Sequence, residues 1–282
     1  MKIGIVLAGG MSKGFYEVGC LNAIFDFFGK EAIQCISASS IGTLIAYAGV
    51  TDQSDYLIDA LKAVDMRSSR AFFPSFSGNR DLMEKVRAAV LDAPSSLPQM
   101  YITVWNYTQK KVEYIPLHKL TKREIQNYLC AAVAIPVFSK GVKINGSTMF
   151  DGAFIDNIPV FPLLDMDVDY VFCIYFNARN YLFENEQFDR KIVKLCDFPF
   201  RKRWDNFVFD PNRVDEMIEY GYDYATRTIR SVFTSPESDA IERNIRNLNE
   251  QTNIKKSRRM TGDVILTNLN KVTGRFAKRN IL

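Results

Sequence analysis

Two adjacent serines, Ser39 and Ser40, precede a glycine in the stretch SASSIGTLIAYAG, residues 37–49. A serine nucleophile at a sharp strand-to-helix turn has the pattern G-x-S-x-G, in which small residues flank the serine because the neighbouring elements press close. Ser40 lies two positions before Gly42, and Ala38 stands at the first small position. The spacing therefore favours Ser40 as a nucleophile and Ser39 as the intervening residue. The alternative is that either serine only caps the following helix.

A serine nucleophile needs a base within hydrogen-bonding reach. The chain has a single histidine, His118, in the stretch IPLHKLTKRE. Asp151 is followed by Gly152 in FDGAFIDNIPV, residues 150–160, and a glycine there permits a tight turn that could aim the carboxylate. Two mechanisms are compatible with these residues: a triad through His118, or direct proton transfer to Asp151. An Asp-Gly pair also occurs in plain turns.

A glycine-rich stretch, LAGGMSKGFYEVG, follows the first apolar run of the chain. Gly9, Gly10 and Gly14 would let the backbone turn sharply at the start of a helix and expose successive amides, which stabilise an anion. The anion could be a bound phosphate or an oxyanion that develops during a reaction. The spacing matches neither the G-x-G-x-x-G dinucleotide fingerprint nor a Walker loop. A tight turn without a ligand is the alternative.

Together these stretches resemble the patatin-like phospholipase family. That family shows a G-G-G-x-[RK]-G loop, a G-x-S-x-G elbow and a distal D-G-[GA], and here residues 9–14, 38–42 and 151–153 match in order and spacing. The segments CAAVAIPVF (130–138) and DNIPV (156–160) match two further family segments. The resemblance extends from residue 3 to about residue 176.

The resemblance implies a three-layer α/β/α sandwich with a mainly parallel central sheet. It implies a Ser40–Asp151 dyad that cleaves acyl esters of phospholipids or other acyl lipids, without a histidine, metal or soluble cofactor. The remaining site residues that it implies are the oxyanion loop and the small residues that support the elbow and the acid turn: Gly9, Gly10, Met11 and Lys13, and Ala38, Gly42 and Gly152.

Two residues depart from the family pattern. Met11 replaces the third glycine of the oxyanion loop, and Ala38 replaces the first glycine of the elbow. A positive φ at Met11 would strain the backbone. These departures motivate a second hypothesis, a catalytically impaired patatin-fold protein that binds lipid or a protein partner.

Alternating apolar strands and amphipathic helices predict a parallel sheet covered on both faces. We predict one domain over residues 1–282, with a recognisable catalytic core at 1–178 and a helical, basic part at 179–282. Strands are predicted at 3–7, 32–39, 100–108, 110–117 and 169–176, the third and fourth forming a hairpin, and helices at 15–28, 41–50, 54–64, 79–93, 122–135, 213–232 and 236–248.

Composition and charge limit where in the cell we expect the protein and what we expect it to bind. No window approaches eighteen consecutive apolar residues and the short N-terminal apolar run suits a strand, so we expect a cytoplasmic protein that associates with membranes peripherally. Residues 251–282 carry a net charge of +7 and residues 1–250 a net charge of −3. The stretch FPFRKRW (198–204) and this tail are the predicted docking elements. The alternative is that these aromatic residues belong to the core and the charges are simply solvated. Nucleic acid is disfavoured because no nucleic-acid motif accompanies the charge. Five scattered cysteines predict reduced, buried thiols.

Overall fold

The computed structural model describes residues 1–62, 80–92, 97–136, 138–176, 181–183, 186–199, 213–251 and 257–258. The helices are α1 (Gly14–Phe28), α2 (Ile41–Val50), α3 (Ser54–Lys62), α4 (Arg80–Asp92), α5 (Lys122–Ala132), α6 (Glu186–Asp189), α7 (Val214–Val232) and α8 (Ser238–Gln251). The strands are β1 (Ile3–Leu7), β2 (Ile33–Ser39), β3 (Gln99–Asn106), β4 (Lys111–Pro116), β5 (Val142–Ile144), β6 (Ser147–Asp151), β7 (Tyr170–Ile174), β8 (Tyr181–Leu182), β9 (Ile192–Leu195) and β10 (Ser257–Arg258).

The main sheet has eight strands and is mixed. Its order is β5-β6-β3-β2-β1-β7-β9, and β4 also pairs with β3. The strands from β3 through β2, β1 and β7 to β9 are parallel, whereas β4, β5 and β6 form an antiparallel edge. The predicted sheet with a parallel centre and the β3–β4 hairpin are confirmed. The β5–β6 hairpin is an addition that the sequence reading missed.

Helices and short helical segments cover the two faces of the sheet. Along β1, Ile5 and Leu7 enter the larger core, which is packed by α1, α2, α5 and α7. Val6 enters the smaller core on the opposite face, where Ile158 and Leu163 pack. This alternation follows from the two-residue period of a strand. The fold is therefore an α/β sandwich, as predicted.

Strands β2 and β6 meet end to end along the same edge of β3. Residues 35–39 of β2 pair with residues 99–103 of β3, and residues 149–151 of β6 pair with residues 104–106. β4 pairs with β3 residues 101–106, so it occupies the other edge of β3. β2 runs parallel to β3 and β6 runs antiparallel, so their carboxyl ends face each other. This arrangement brings the residues after β2 next to the last residue of β6.

Two further expectations can be compared with the structure. All five cysteines are buried thiols, as predicted. Among the described residues, no helix is long and apolar enough to cross a bilayer. The sequence also indicates a loop at 67–80: its residues 67–79 and nearly all of the basic tail fall outside the described residues, and Arg80 begins α4.

Candidate active site

The turn between β2 and α2 holds Ser40 in an unusual backbone conformation. Its φ is 53° and its ψ is −130°, a region that a non-glycine residue rarely adopts. Strain of this kind is typical of serine nucleophiles on strand-to-helix elbows. A Cβ on Gly42 would lie 2.9 Å from the Ala8 carbonyl oxygen, so only glycine fits there. Ala38 is fully buried and pairs with Leu7 of β1, and its one methyl group is accommodated.

The Ser40 hydroxyl donates a hydrogen bond to Asp151. The distance between Ser40 Oγ and Asp151 Oδ2 is 2.5 Å, and both side chains are buried. The other carboxylate oxygen, Oδ1, accepts from the Ala153 amide at 2.9 Å. The Asp151 amide donates to the Ala134 carbonyl at 2.9 Å. A Cβ on Gly152 would lie 2.6 Å from the backbone of Thr103, so the Asp-Gly turn can approach β3 only because residue 152 is a glycine.

Burial makes the Asp151 carboxyl a weaker acid than an exposed aspartate. It raises the pKa of the Asp151 carboxyl to about 7, while the hydrogen bonds from Ser40 and the Ala153 amide act in the lowering direction. A general base is most effective when its pKa lies near the working pH. The arrangement can therefore accept a proton from a serine hydroxyl near neutral pH.

The backbone of Gly9 is held by hydrogen bonds to Asn157. The Gly9 amide donates to Asn157 Oδ1 at 2.9 Å and to the Asn157 carbonyl at 3.3 Å. In return, Asn157 Nδ2 donates to the Gly9 carbonyl at 3.0 Å. A Cβ on Gly9 would lie 2.6 Å from the Cβ of Ser40, so this loop lies directly against the elbow. The Gly9 amide is engaged by Asn157 and does not point to a free anion site.

The rest of the loop packs on an aromatic cluster. A Cβ on Gly10 would lie 2.1 Å from the Phe176 ring. The Lys13 ammonium lies 5.4 Å from the centre of the Phe176 ring and 5.7 Å from that of Phe198, and burial lowers the Lys13 pKa. Met11 has a φ of 57°, so the backbone strain that the sequence analysis made conditional on a positive φ is present.

Phe198 corrects one sequence prediction. The aromatic residues of the stretch 198–204 were expected at a membrane surface, but Phe198 is only 6% exposed and its ring packs edge-on against Tyr16 and Phe176. It belongs to the core because its ring completes the cluster beneath Lys13. Residues 200–204 lie outside the described residues.

His118 does not join the pair. Its Nδ1 contacts the backbone of Met100, at 3.2 Å from the amide nitrogen and 3.3 Å from the carbonyl oxygen. Its ring meets Tyr101 edge-on at 5.4 Å. In the described part of the chain, its contacts include neither Ser40 nor Asp151.

Two residues of the DNIPV segment connect the elbow and the loop, and sequence reasoning gave them no role. Asn157 clamps Gly9, as described above. The carbonyl of Asp156 accepts from Ser39 Oγ at 3.2 Å, and its buried carboxylate accepts from the Tyr114 hydroxyl at 2.7 Å. Ser39 is thus tied to the backbone of this segment. The signal in the sequence was the position of the segment, five residues beyond the Asp-Gly pair.

A family model and several solved structures resemble this chain. The family model for patatin-like phospholipase matches residues 5–164. The structure of VipD from Legionella pneumophila is similar with a TM-score of 0.45 and 13% identity, covering 82% of this chain and 67% of that one. The type III effector protein ExoU gives a TM-score of 0.43 and 12% identity, and the aligned part covers 86% of this chain but about half, 53%, of ExoU. No curated protein sequence is detectably similar to the chain.

Proposed function

Because this chain belongs to the patatin-like phospholipase family, we propose that it is a serine lipid acyl hydrolase that uses Ser40 as nucleophile and Asp151 as base. The hydrogen bond of 2.5 Å between Ser40 Oγ and Asp151 Oδ2 carries the proposal. The two residues are a nucleophile and a buried base with a pKa of about 7, and they are in direct contact. A dyad does not need His118, which packs elsewhere.

The proposed reaction has two steps. Ser40 Oγ attacks the carbonyl carbon of an acyl ester while Asp151 Oδ2 takes the hydroxyl proton. The tetrahedral intermediate collapses, and the leaving alcohol, a lysolipid or the deacylated glycerol phosphodiester, takes the proton back from Asp151. A water molecule then attacks the acyl-Ser40 ester while Asp151 takes one of its protons. Asp151 returns that proton to Ser40 Oγ as the fatty acid leaves. No metal or cofactor takes part in either step.

The oxyanion is assigned to the amides of Gly10 and Met11. A backbone N–H aimed at a developing negative charge stabilises the transition state more than the ground state. Gly9 then has a positioning role, since its amide is held by Asn157. Lys13 helps to hold the loop in place, because its ammonium lies over Phe176, the ring on which Gly10 packs.

A second candidate function rests on Met11. Its φ of 57° costs backbone strain that the family's glycine would not incur. A loop that relaxed this strain by moving its amides would bind lipid in the same site without turnover. The Met11 amide is nevertheless present, so hydrolysis remains the preferred function.

Fatty-acid release separates the two candidates. The purified chain is incubated with diacyl and monoacyl phospholipids, and the products are measured by mass spectrometry. Hydrolysis predicts free fatty acid that appears with the wild-type chain and not with a Ser40→Ala variant. Lipid that binds equally to both proteins and is recovered intact would support the second candidate instead.

A further inference from the structure

The antiparallel edge of the sheet presents one row of aromatic side chains. Residues that pair directly across neighbouring strands point to the same face of a sheet. Trp105 of β3 pairs with Phe150 of β6, and Thr103 pairs with Tyr114 of β4. Because positions 103 and 105 are two apart, Trp105, Phe150 and Tyr114 share one face.

These rings form two contacting sets on one face, and each set has an exposed ring. The ring centres of Trp105 and Tyr107 are 5.3 Å apart, and those of Tyr107 and Phe150 are 5.8 Å apart. Tyr114 stacks on Phe161 at 5.5 Å. Tyr107 is 56% exposed and Phe161 is 41% exposed. We call these five rings, Trp105, Tyr107, Tyr114, Phe150 and Phe161, the aromatic face.

Two lysines border the aromatic face. Lys143 of β5 pairs with Thr148, which is two residues from Phe150, and its ammonium donates to Thr148 Oγ1 at 2.7 Å. Lys140 precedes Gly141, where a Cβ would lie 3.0 Å from the Phe150 ring. Both lysines are exposed.

No exposed carboxylate opposes these lysines on the aromatic face within residues 97–161, where every acidic residue is described. Asp151 and Asp156 are buried. Glu113 pairs with Val104 and binds Asn106, on the other face of the sheet. Glu124 caps helix α5 in the helical layer. Within residues 97–161, the exposed charges beside the aromatic face are therefore positive.

We propose that the aromatic face docks the protein on an anionic lipid bilayer. Aromatic rings favour the interface between hydrocarbon and water, and lysines beside them are attracted to anionic head groups. Phe150 and Asp151 are neighbours on β6 and point to opposite faces of the sheet, so docking here brings the bilayer to the strand that carries Asp151 without covering the face on which its carboxylate lies. The choice of a lipid partner rests on the proposed function, while the rings and charges are features of the structure alone.

Vesicle sedimentation tests this surface without any turnover. The full chain carrying Ser40→Ala is mixed with phosphatidylcholine vesicles that contain or lack phosphatidylglycerol. The test variant adds Tyr107→Ser, Lys140→Glu and Lys143→Glu to this background. We expect it to bind anionic vesicles about tenfold more weakly or worse, because two attractive charges become repulsive. Raising the salt should weaken binding of the parent chain as well.

A matched control makes an equal change of charge, with one Tyr→Ser and two basic residues replaced by Glu, on the helical layer. Tyr56 on α3 and Arg227 and Arg230 on α7 are exposed. Tyr56→Ser with Arg227→Glu and Arg230→Glu alters the net charge equally, and we expect this variant to bind anionic vesicles like the parent chain.

The outcomes separate docking from catalysis and from self-association. Equal losses in the test and control variants would overturn the proposal, and so would equal binding by the test variant and its parent. A test variant that changes the molar mass of the protein in solution but not its vesicle affinity would show that the aromatic face covers a second copy of the chain. With Ser40 restored, the test variant should keep its turnover of a short water-soluble ester. A chain that docks as described but hydrolyses no ester would refute the proposed function and leave the docking surface standing.

Discussion

The two strands that meet at the dyad differ in how they are held. β2 lies inside the parallel centre of the sheet, and six of its seven residues are buried. β6 is a five-residue strand of the antiparallel edge, in which buried and partly buried residues alternate. The nucleophile thus depends on a strained turn at the end of a buried central strand. The base depends on a short strand of the antiparallel region, whose last residue is fixed by hydrogen bonds to Ala134 and Ala153. We therefore expect substitution of Ser40 to abolish hydrolysis, and substitutions around it to lower the hydrolysis rate by different amounts.

The largest effect is expected at the end of β2. Ser40→Ala removes the attacking oxygen and should abolish release of fatty acid, whereas the melting temperature should change little. Ser39→Ala removes only a hydrogen bond to the Asp156 carbonyl and should keep most of the activity. Both variants are assayed for hydrolysis and thermal unfolding side by side. An inactive, folded Ser39→Ala chain would show that the elbow register is wrong.

The next effect is expected at the end of β6. Asp151→Asn keeps the shape but removes the proton acceptor, so kcat should fall at least ~10²-fold. His118→Ala is the control and should retain most of the activity. If His118→Ala instead abolished turnover in a folded protein, a triad would replace the dyad.

The same substitution changes how stability depends on pH. The folded Asp151 carboxyl has a pKa raised from 3.8 to about 7, so the folded wild type binds more protons than the unfolded chain between these values. Wild-type stability contributed by this group is therefore lost as the pH rises through that window. The side-chain amide in Asp151→Asn does not titrate, so the stability of this variant relative to the wild type should increase from pH 4 to pH 7 in thermal unfolding. A difference that stays constant with pH would argue against a raised pKa.

A smaller effect is expected at the clamp on the oxyanion loop. Asn157→Asp replaces a donor to the Gly9 carbonyl with a second acceptor, which should displace the loop and lower kcat about tenfold with little change in KM. Asn145, in the β5–β6 turn, is exposed, and Asn145→Asp is the matched control. Equal kinetics for the two variants would mean that Asn157 does not position the loop.

The smallest effect is expected at Lys13. Lys13→Met keeps the apolar stem over Phe176 and Phe198 and removes only the cation–π contacts, so kcat should fall about threefold, and more than substrate affinity falls. Steady-state kinetics on a water-soluble ester measure both quantities. A loss near a hundredfold would instead indicate that the ammonium contacts the oxyanion directly.

The sequence predicted the parallel centre better than the antiparallel edge. Strands β1 and β7 are continuous apolar runs, and these are typical of buried parallel strands. The β5–β6 hairpin was missed although Asn145-Gly146, a common hairpin turn, lies between its strands, and both residues have positive φ. The strands are only three and five residues long, so neither shows a clear two-residue pattern.

The candidate active site, too, could be predicted only in part from the sequence. Ser40 and Asp151 could be singled out because their neighbours are small residues at fixed spacing. Their contact could not be derived, because it depends on β2 and β6 meeting along β3, which is a long-range register. The Asn157 clamp spans 148 residues of sequence and has no local pattern. Sequence patterns report what a residue is next to in the chain, whereas these pairings are set by the sheet.

The most direct test of the dyad is the pH dependence of fluorophosphonate labelling, with the modified peptide identified by mass spectrometry. The dyad predicts a label on Ser40, at a rate that rises with pH through about 7 as Asp151 loses its proton. In Asp151→Asn the labelling should be at least ~10²-fold slower and should lose this pH dependence. A label on another residue, or equal labelling of Ser40 in the wild type and in Asp151→Asn, would contradict it.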